Sequence, residues 1–235
     1  MARTTLQNQV LTALGSQIVD GTYPVGSILR SEDLATQYDV SLTVIRETLK
    51  VLQSMRLVAM KPRIGITVRE VHDWNVFDPR VIQWRLATTA RTNQLRSLTE
   101  LRSAVEPTAA FLASVRATPE ERVRLVELAD LMEESGSSRQ LERFMEQDVA
   151  FHTTLLLASH NEMFIALTEP ITEALTGRHR SSLMPHEPLA SVRDHHRRLA
   201  HAIMAHRGDE ARNAANEILD SVLRETDEQI AVSQI

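Results

Sequence analysis

Hydrophobic positions recur at helical spacing along most of the chain. Leu6, Val10, Leu14 and Ile18 return every fourth residue, one face of a helix that stops at Asp20-Gly21. Tyr23-Pro24-Val25-Gly26-Ser27 is a turn cluster. Ser31 can cap a short helix carrying Leu34 and Ala35, which Tyr38-Asp39 breaks, and Ser41 can cap the next. There Ile45, Leu49 and Leu52 form an inward stripe. Apolar runs at 57–60 and 66–68 flank Lys61-Pro62-Arg63-Ile64-Gly65 and read as a small hairpin. Two short helices, a tight turn between them and a hairpin behind them predict a winged helix-turn-helix over residues 1–72.

From residue 76 to 235 the pattern is helical throughout. Strand alternation is absent, and Ala, Leu, Glu and Arg, all good helix formers, dominate. Helices are expected at 78–90, 94–116, 119–135, 139–159, 161–183, 189–206 and 209–231. Breaks fall at Thr118-Pro119, at 134–138, at Met184-Pro185-His186-Glu187-Pro188 and at Arg207-Gly208-Asp209. The fold class is therefore mainly α, an N-terminal winged helix-turn-helix plus a C-terminal all-α antiparallel helical bundle.

Charge sharpens this division. The net charge is −5, yet residues 1–70 hold eight Lys and Arg against six Asp and Glu, leaving 18 against 25 for the remainder. Phosphate attraction needs only a local basic patch. Cysteine is absent, which excludes disulfides, thiolate metal sites and cysteine nucleophiles. No apolar run reaches the roughly 18 residues of a membrane span, and the N-terminus has no apolar signal core, so a cytoplasmic location with no membrane partner is expected.

The second helix of a helix-turn-helix presents its first turns to base edges in the major groove of double-stranded DNA. Thr43, Arg46 and Lys50 stand at i, i+3 and i+7, opposite the apolar stripe. Arg46 can grip a guanine edge or a phosphate, Lys50 a phosphate, and Ser41 can touch the backbone while capping. Arg63 and Gly65 at the hairpin tip suit a wing in the minor groove, where glycine lets the backbone come close. A solvated polar face has the same spacing; the order of elements around these residues favours DNA.

The stretch Ile18-Val-Asp-Gly-Thr-Tyr-Pro-Val-Gly-Ser-Ile-Leu29, then Ser31-Glu-Asp-Leu-Ala35, then Val40-Ser41 and Val44-Ile-Arg-Glu-Thr-Leu49, resembles the GntR regulator family. Three positions depart from that family's pattern: Leu42 for a base-contacting arginine, Val25 for proline and Arg56 for glycine. Leucine can meet a thymine methyl but cannot donate to guanine, so the departure at Leu42 changes what the operator can be. The helical part resembles the FadR-type branch with its FCD effector domain through Asp78-Pro-Arg-Val-Ile-Gln-Trp84, Leu101-Arg-Ser-Ala-Val-Glu-Pro107 and Asp148-Val-Ala-Phe-His152, and its Ile82-Gln-Trp84 and Arg102-Ser-Ala-Val-Glu-Pro107 stretches resemble the galactonate-operon repressors within that branch.

Asp148 and His152 are four apart on one helix, so both point the same way and can share a divalent ion inside a bundle. The resemblance implies His196 as the next ligand and puts Ile218 where the family commonly has a further histidine. Three ligands leave coordination sites open for an acid. Zinc suits these donors, with nickel, manganese or iron as alternatives. The resemblance also implies that Arg102 faces the cavity, where its fork would take a carboxylate. Asn161, at a helix start, can cap or contact ligand. His195 lies about 100° round the helix from His196, and His201 and His206 are expected at the surface. The expected function is a homodimeric regulator, in the sense of a repressor, released from its operator by a sugar acid. Lactate-like acids or a fatty acyl thioester are the alternative effectors. A metal-dependent hydrolase is the alternative class, but no serine-nucleophile motif, phosphate loop or His-Glu-x-x-His helix is present.

Overall fold

The computed structural model describes residues 2–61, 64–88, 91–180 and 190–233. Arg63 and the expected break at 184–188 lie outside them. The chain divides into two compact units, Met1–Arg91 and Thr92–Ile235.

In the first unit, helix α1 (Ala2–Val19) is followed by strand β1 (Ile28–Leu29), helix α2 (Ser31–Gln37) and helix α3 (Leu42–Ser54). Strands β2 (Val58–Lys61) and β3 (Gly65–Val68) come next, then helix α4 (Pro79–Leu86). The strands form an antiparallel sheet in the order β1-β3-β2, with Ile28 opposite Thr67 and Val58 opposite Val68. The hairpin is thus as expected, whereas β1 was hidden in the turn cluster that precedes it. Ser41 caps α3 through its hydroxyl, which accepts from the Val44 amide.

Val10, Leu14, Ile18, Leu34, Ile45, Leu49, Leu52 and Val68 close one apolar core. Leu6 does not join it; it is 39% exposed, and the buried stripe of α1 begins at Val10. Trp74, Val81 and Trp84 belong to the same core. Gly15 is what lets α4 approach, because a Cβ there would lie 2.4 Å from the Trp84 ring. The boundary expected at 72–76 therefore falls inside the first unit: α4 is anchored to α1 by its tryptophan.

The second unit is helical. It comprises α5 (Arg91–Arg116), α6 (Pro119–Ser137), α7 (Leu141–Ala158), α8 (Glu162–Ile165), α9 (Thr168–Arg180), α10 (Ala190–Met204) and α11 (Gly208–Ser233). Thr118 and Glu121 form a reciprocal capping box at the start of α6. The core joins Leu125, Leu128 and Met132 of α6, Phe144, Phe151 and Leu155 of α7, Leu199 and Ile203 of α10, and Ile218 of α11. The single helix expected at 161–183 is instead α8 and α9. Pro170 has no N–H to give the Ala166 carbonyl, so a continuous helix would lose a bond there, whereas in the first turn of α9 none is required. Among the described residues, no helix is long and apolar enough to cross a membrane.

Candidate metal centre and nucleic-acid interface

α7 carries Asp148 and His152 on successive turns, and α10 brings His196 to them. Asp148 Oδ1 lies 3.4 Å from Nε2 of each histidine, and the two Nε2 atoms are 3.3 Å apart. One donor atom from each residue lies within 4.8 Å of the others, all three residues buried. Phe151, itself part of the apolar core, stands edge-on to both imidazoles.

The partners of each ring fix which nitrogen faces the centre. His196 Nδ1 is 2.7 Å from the Val192 carbonyl, which can only accept, so Nδ1 carries the hydrogen. His152 Nδ1 lies 2.8 Å from Glu106 Oε2, a charge contact not aligned as a hydrogen bond, and its Nε2 accepts from Arg102 Nη2 at 3.2 Å, which puts the hydrogen of the neutral ring on Nδ1. Both Nε2 atoms then lie beside the Asp148 carboxylate, a cluster of acceptors met by the Arg102 Nη2 group, 3.2 Å from His152 Nε2, and a further positive charge between them would stabilise it more. A proton is one solution. Burial opposes charge on His152, but Glu106 outweighs it despite Arg102, and Asp148 adds a hydrogen bond, raising the pKa to about 9. Burial likewise pushes the Asp148 carboxyl up, while hydrogen bonds and charge from the two histidines hold it well below the usual range. A divalent cation is the other solution, and two imidazole nitrogens with one carboxylate oxygen fit zinc, nickel, iron or manganese. The residues present fit such an ion.

Arg102 reaches this cluster from α5. It and Glu106 are each 1% exposed. Arg102 Nε donates to Glu106 Oε1 at 2.6 Å, and Nη2 lies 3.4 Å from Glu106 Oε2 and 3.2 Å from His152 Nε2. Burial alone would raise the Glu106 carboxyl, but Arg102 and His152 bring it down to about 2. Burial would lower Arg102, and Glu106 more than reverses this. Arg102 Nη1 has no hydrogen-bond partner among the described residues. The fork expected to be open to a ligand is thus half engaged by Glu106, with one buried N–H group left over. Glu106 escaped the sequence reading, although Arg102 and Glu106 share the same i, i+4 spacing as Asp148 and His152.

The remaining sequence candidates lie elsewhere. Asn161 caps α8, its side-chain oxygen accepting from the Met163 amide at 3.0 Å. His195 turns away, 3.5 Å from Glu217. His201 and His206 are exposed. Ile218, where a further histidine was conceivable, is 2% exposed in the apolar core.

In the first unit, α3 buries Val44, Ile45, Thr48, Leu49 and Leu52. The opposite face exposes Ser41, Thr43, Arg46 and Lys50 as one polar strip, with Leu42, 39% exposed, one turn before Arg46. Lys50 pairs with Glu47 at 2.8 Å; both are exposed, so the pair is weak and yields readily to a phosphate. Gly65 opens β3 with φ +109°, a conformation that strains other residues.

Comparison with known proteins agrees with both halves. Residues 6–68 match the bacterial regulatory proteins of the gntR family, and residues 97–221 match the FCD domain. The galactonate operon transcriptional repressor of Escherichia coli (strain K12) is 30% identical over 92% of this chain and 95% of its own. A putative L-lactate dehydrogenase operon regulatory protein of the same organism is 28% identical over 89% of this chain and 81% of its own. The solved structure of Lar, which controls the expression of the Listeria monocytogenes agr system, superposes with a TM-score of 0.61. It is 13% identical and covers 94% of this chain and 96% of that one, a likeness of fold. The chain belongs to the gntR family of bacterial transcription regulators, not to an enzyme family, and carries an FCD domain behind its winged helix-turn-helix.

Proposed function

We propose that this protein is a cytoplasmic repressor of a small hydroxy-acid catabolic operon. It binds a pseudo-palindromic operator as a homodimer and is released when a sugar acid such as galactonate or gluconate enters the FCD domain. The observation that carries the reading is Arg102 Nη1, a buried donor with no partner beside three potential metal ligands. An unpartnered buried N–H costs about 1–3 kcal/mol, which a carboxylate oxygen would recover.

Charge supports the same class of ligand. Arg102 is balanced by Glu106, and Asp148 leaves the cluster one unit negative when both histidines are neutral. Asp148, His152 and His196 would hold the ion, which when bound supplies two positive charges and open coordination sites for an acid's oxygens. The site then carries one net positive charge, matching a monoanion. Solvent reaches the cluster at Asp148, whose side chain is 11% exposed against 1–2% for the other four. Five charged or imidazole side chains disfavour a long acyl chain, and two of the relatives are named for galactonate and lactate operons. A ligand shifts the DNA equilibrium only by binding one conformation better, and about 1.4 kcal/mol of difference gives a tenfold release.

The test is thermal shift with zinc-loaded protein, followed by operator release in fluorescence anisotropy, against galactonate, gluconate, lactate, neutral galactose and an acyl thioester. Galactonate or gluconate should stabilise and release; galactose should do neither. Arg102→Lys should retain DNA binding and the pairing with Glu106 yet lose release by the acid. Response to the acyl thioester alone would overturn the reading.

A further inference from the structure

The Glu106 carboxylate touches both the arginine of the cluster and a histidine of the triad. Its Oε1 takes Arg102 Nε at 2.6 Å, and its Oε2 takes His152 Nδ1 at 2.8 Å. Both contacts are buried, each side chain 1–2% exposed, so no water competes for either oxygen. Glu106 meets His152 on the ring edge opposite Nε2, so it stands behind the imidazole. A carboxylate 2.8 Å from Nδ1 favours the Nδ1–H form by its charge, although the contact is not aligned as a hydrogen bond, and so leaves Nε2 facing the centre. The same carboxylate clamps the Arg102 guanidinium at Nε and Nη2 and leaves Nη1 as its free donor.

From this geometry we infer that Glu106 is the positioning residue of the effector site, setting the metal-binding tautomer of His152 and the aim of Arg102 at once. The inference rests on the metal reading above and adds a residue to it. No other acidic side chain touches both groups among the described residues, so no neighbour replaces it. Metal and acid binding are consequently coupled: a ring misaligned by loss of Glu106 weakens the ion, and a guanidinium released from Glu106 loses its orientation toward the acid. Glutamine is the informative replacement. It has the same shape but one acceptor oxygen, and its amide donor must then face either Arg102 or the His152 N–H.

Wild-type protein, Glu106→Gln and the charge-neutral double variant Glu106→Gln/Arg102→Met are titrated with zinc against a competing chromophoric chelator. Histidine tautomers are read by long-range nitrogen–proton NMR on the zinc-loaded proteins. The double variant has no unpaired buried charge and folds even if the single one does not. The expected result is a 10–100-fold loss of zinc affinity in both variants, with a shift of His152 away from the Nδ1–H tautomer, a change that a purely structural role would not produce. Variants that keep wild-type zinc affinity and the same His152 tautomer overturn the positioning role. Wild-type protein that binds no zinc, nickel, iron or manganese overturns the metal reading itself, a different and separable outcome.

Discussion

Replacing Arg102 by Met tests the buried cluster most severely. Arg102 and Glu106 are each 1% exposed, with Nε and Oε1 2.6 Å apart. Methionine fills comparable volume, so packing changes little, but Glu106 loses its guanidinium and keeps only His152 as a buried counter-charge. Breaking a buried pair in this way costs about 3–5 kcal/mol. His152 Nδ1, 2.8 Å from Glu106 Oε2, still faces the orphaned charge and sets the figure at the lower end, about 3 kcal/mol. For a unit of this size that lowers the melting temperature by ~10 °C. Adding Glu106→Gln removes the stranded charge, so the double variant should be more stable than Arg102→Met alone. Urea unfolding of metal-free proteins, followed by circular dichroism, measures both without any contribution from a bound ion. An Arg102→Met protein within 1 kcal/mol of wild type, or a double variant weaker than the single one, would refute the account of the cluster as an interdependent charge network.

Three further outcomes are expected. Asp148→Asn and His196→Ala should abolish the metal found by elemental analysis of gently purified protein while His195→Ala retains it, and a chelator should lower the wild-type melting temperature through the lost binding energy, about 2.7 kcal/mol at a hundredfold excess over Kd. Leu42, exposed at the first turn of the reading helix, should contact a thymine methyl. Replacing that thymine by deoxyuridine should then weaken operator binding by wild type but not by Leu42→Ala, and equal losses in both would exclude the contact. Gly15→Ala should cost about 1–3 kcal/mol in the first unit by driving a methyl into Trp84, read by calorimetry; unchanged stability would mean that α4 shifts freely.

Much of this was legible in the sequence, for identifiable reasons. Ile45, Leu49 and Leu52 announced α3 because one face of it is fully buried, and Asp148 and His152 announced the centre because i, i+4 spacing fixes direction. Three features were not legible. β1 is two residues long and exists only by pairing with β3, a contact with no local trace. The α8–α9 break depends on one missing N–H at Pro170 inside an otherwise continuous amphipathic pattern. Glu106 reads locally as half of an ordinary surface pair with Arg102; only burial, set by α7 and α10 far along the chain, turns that pair into part of the site.

Solvent meets the cluster at one carboxylate, that of Asp148, and this has a consequence in time rather than in affinity. An ion held behind it could leave only as fast as α7 opens at that turn, whatever the strength of the individual bonds. Exchange would then track local opening of the helix, over microseconds to seconds, and not the diffusion of chelator alone. The acid, which must reach the ion by way of the same carboxylate, would then be gated by the turn of α7 that gates the ion.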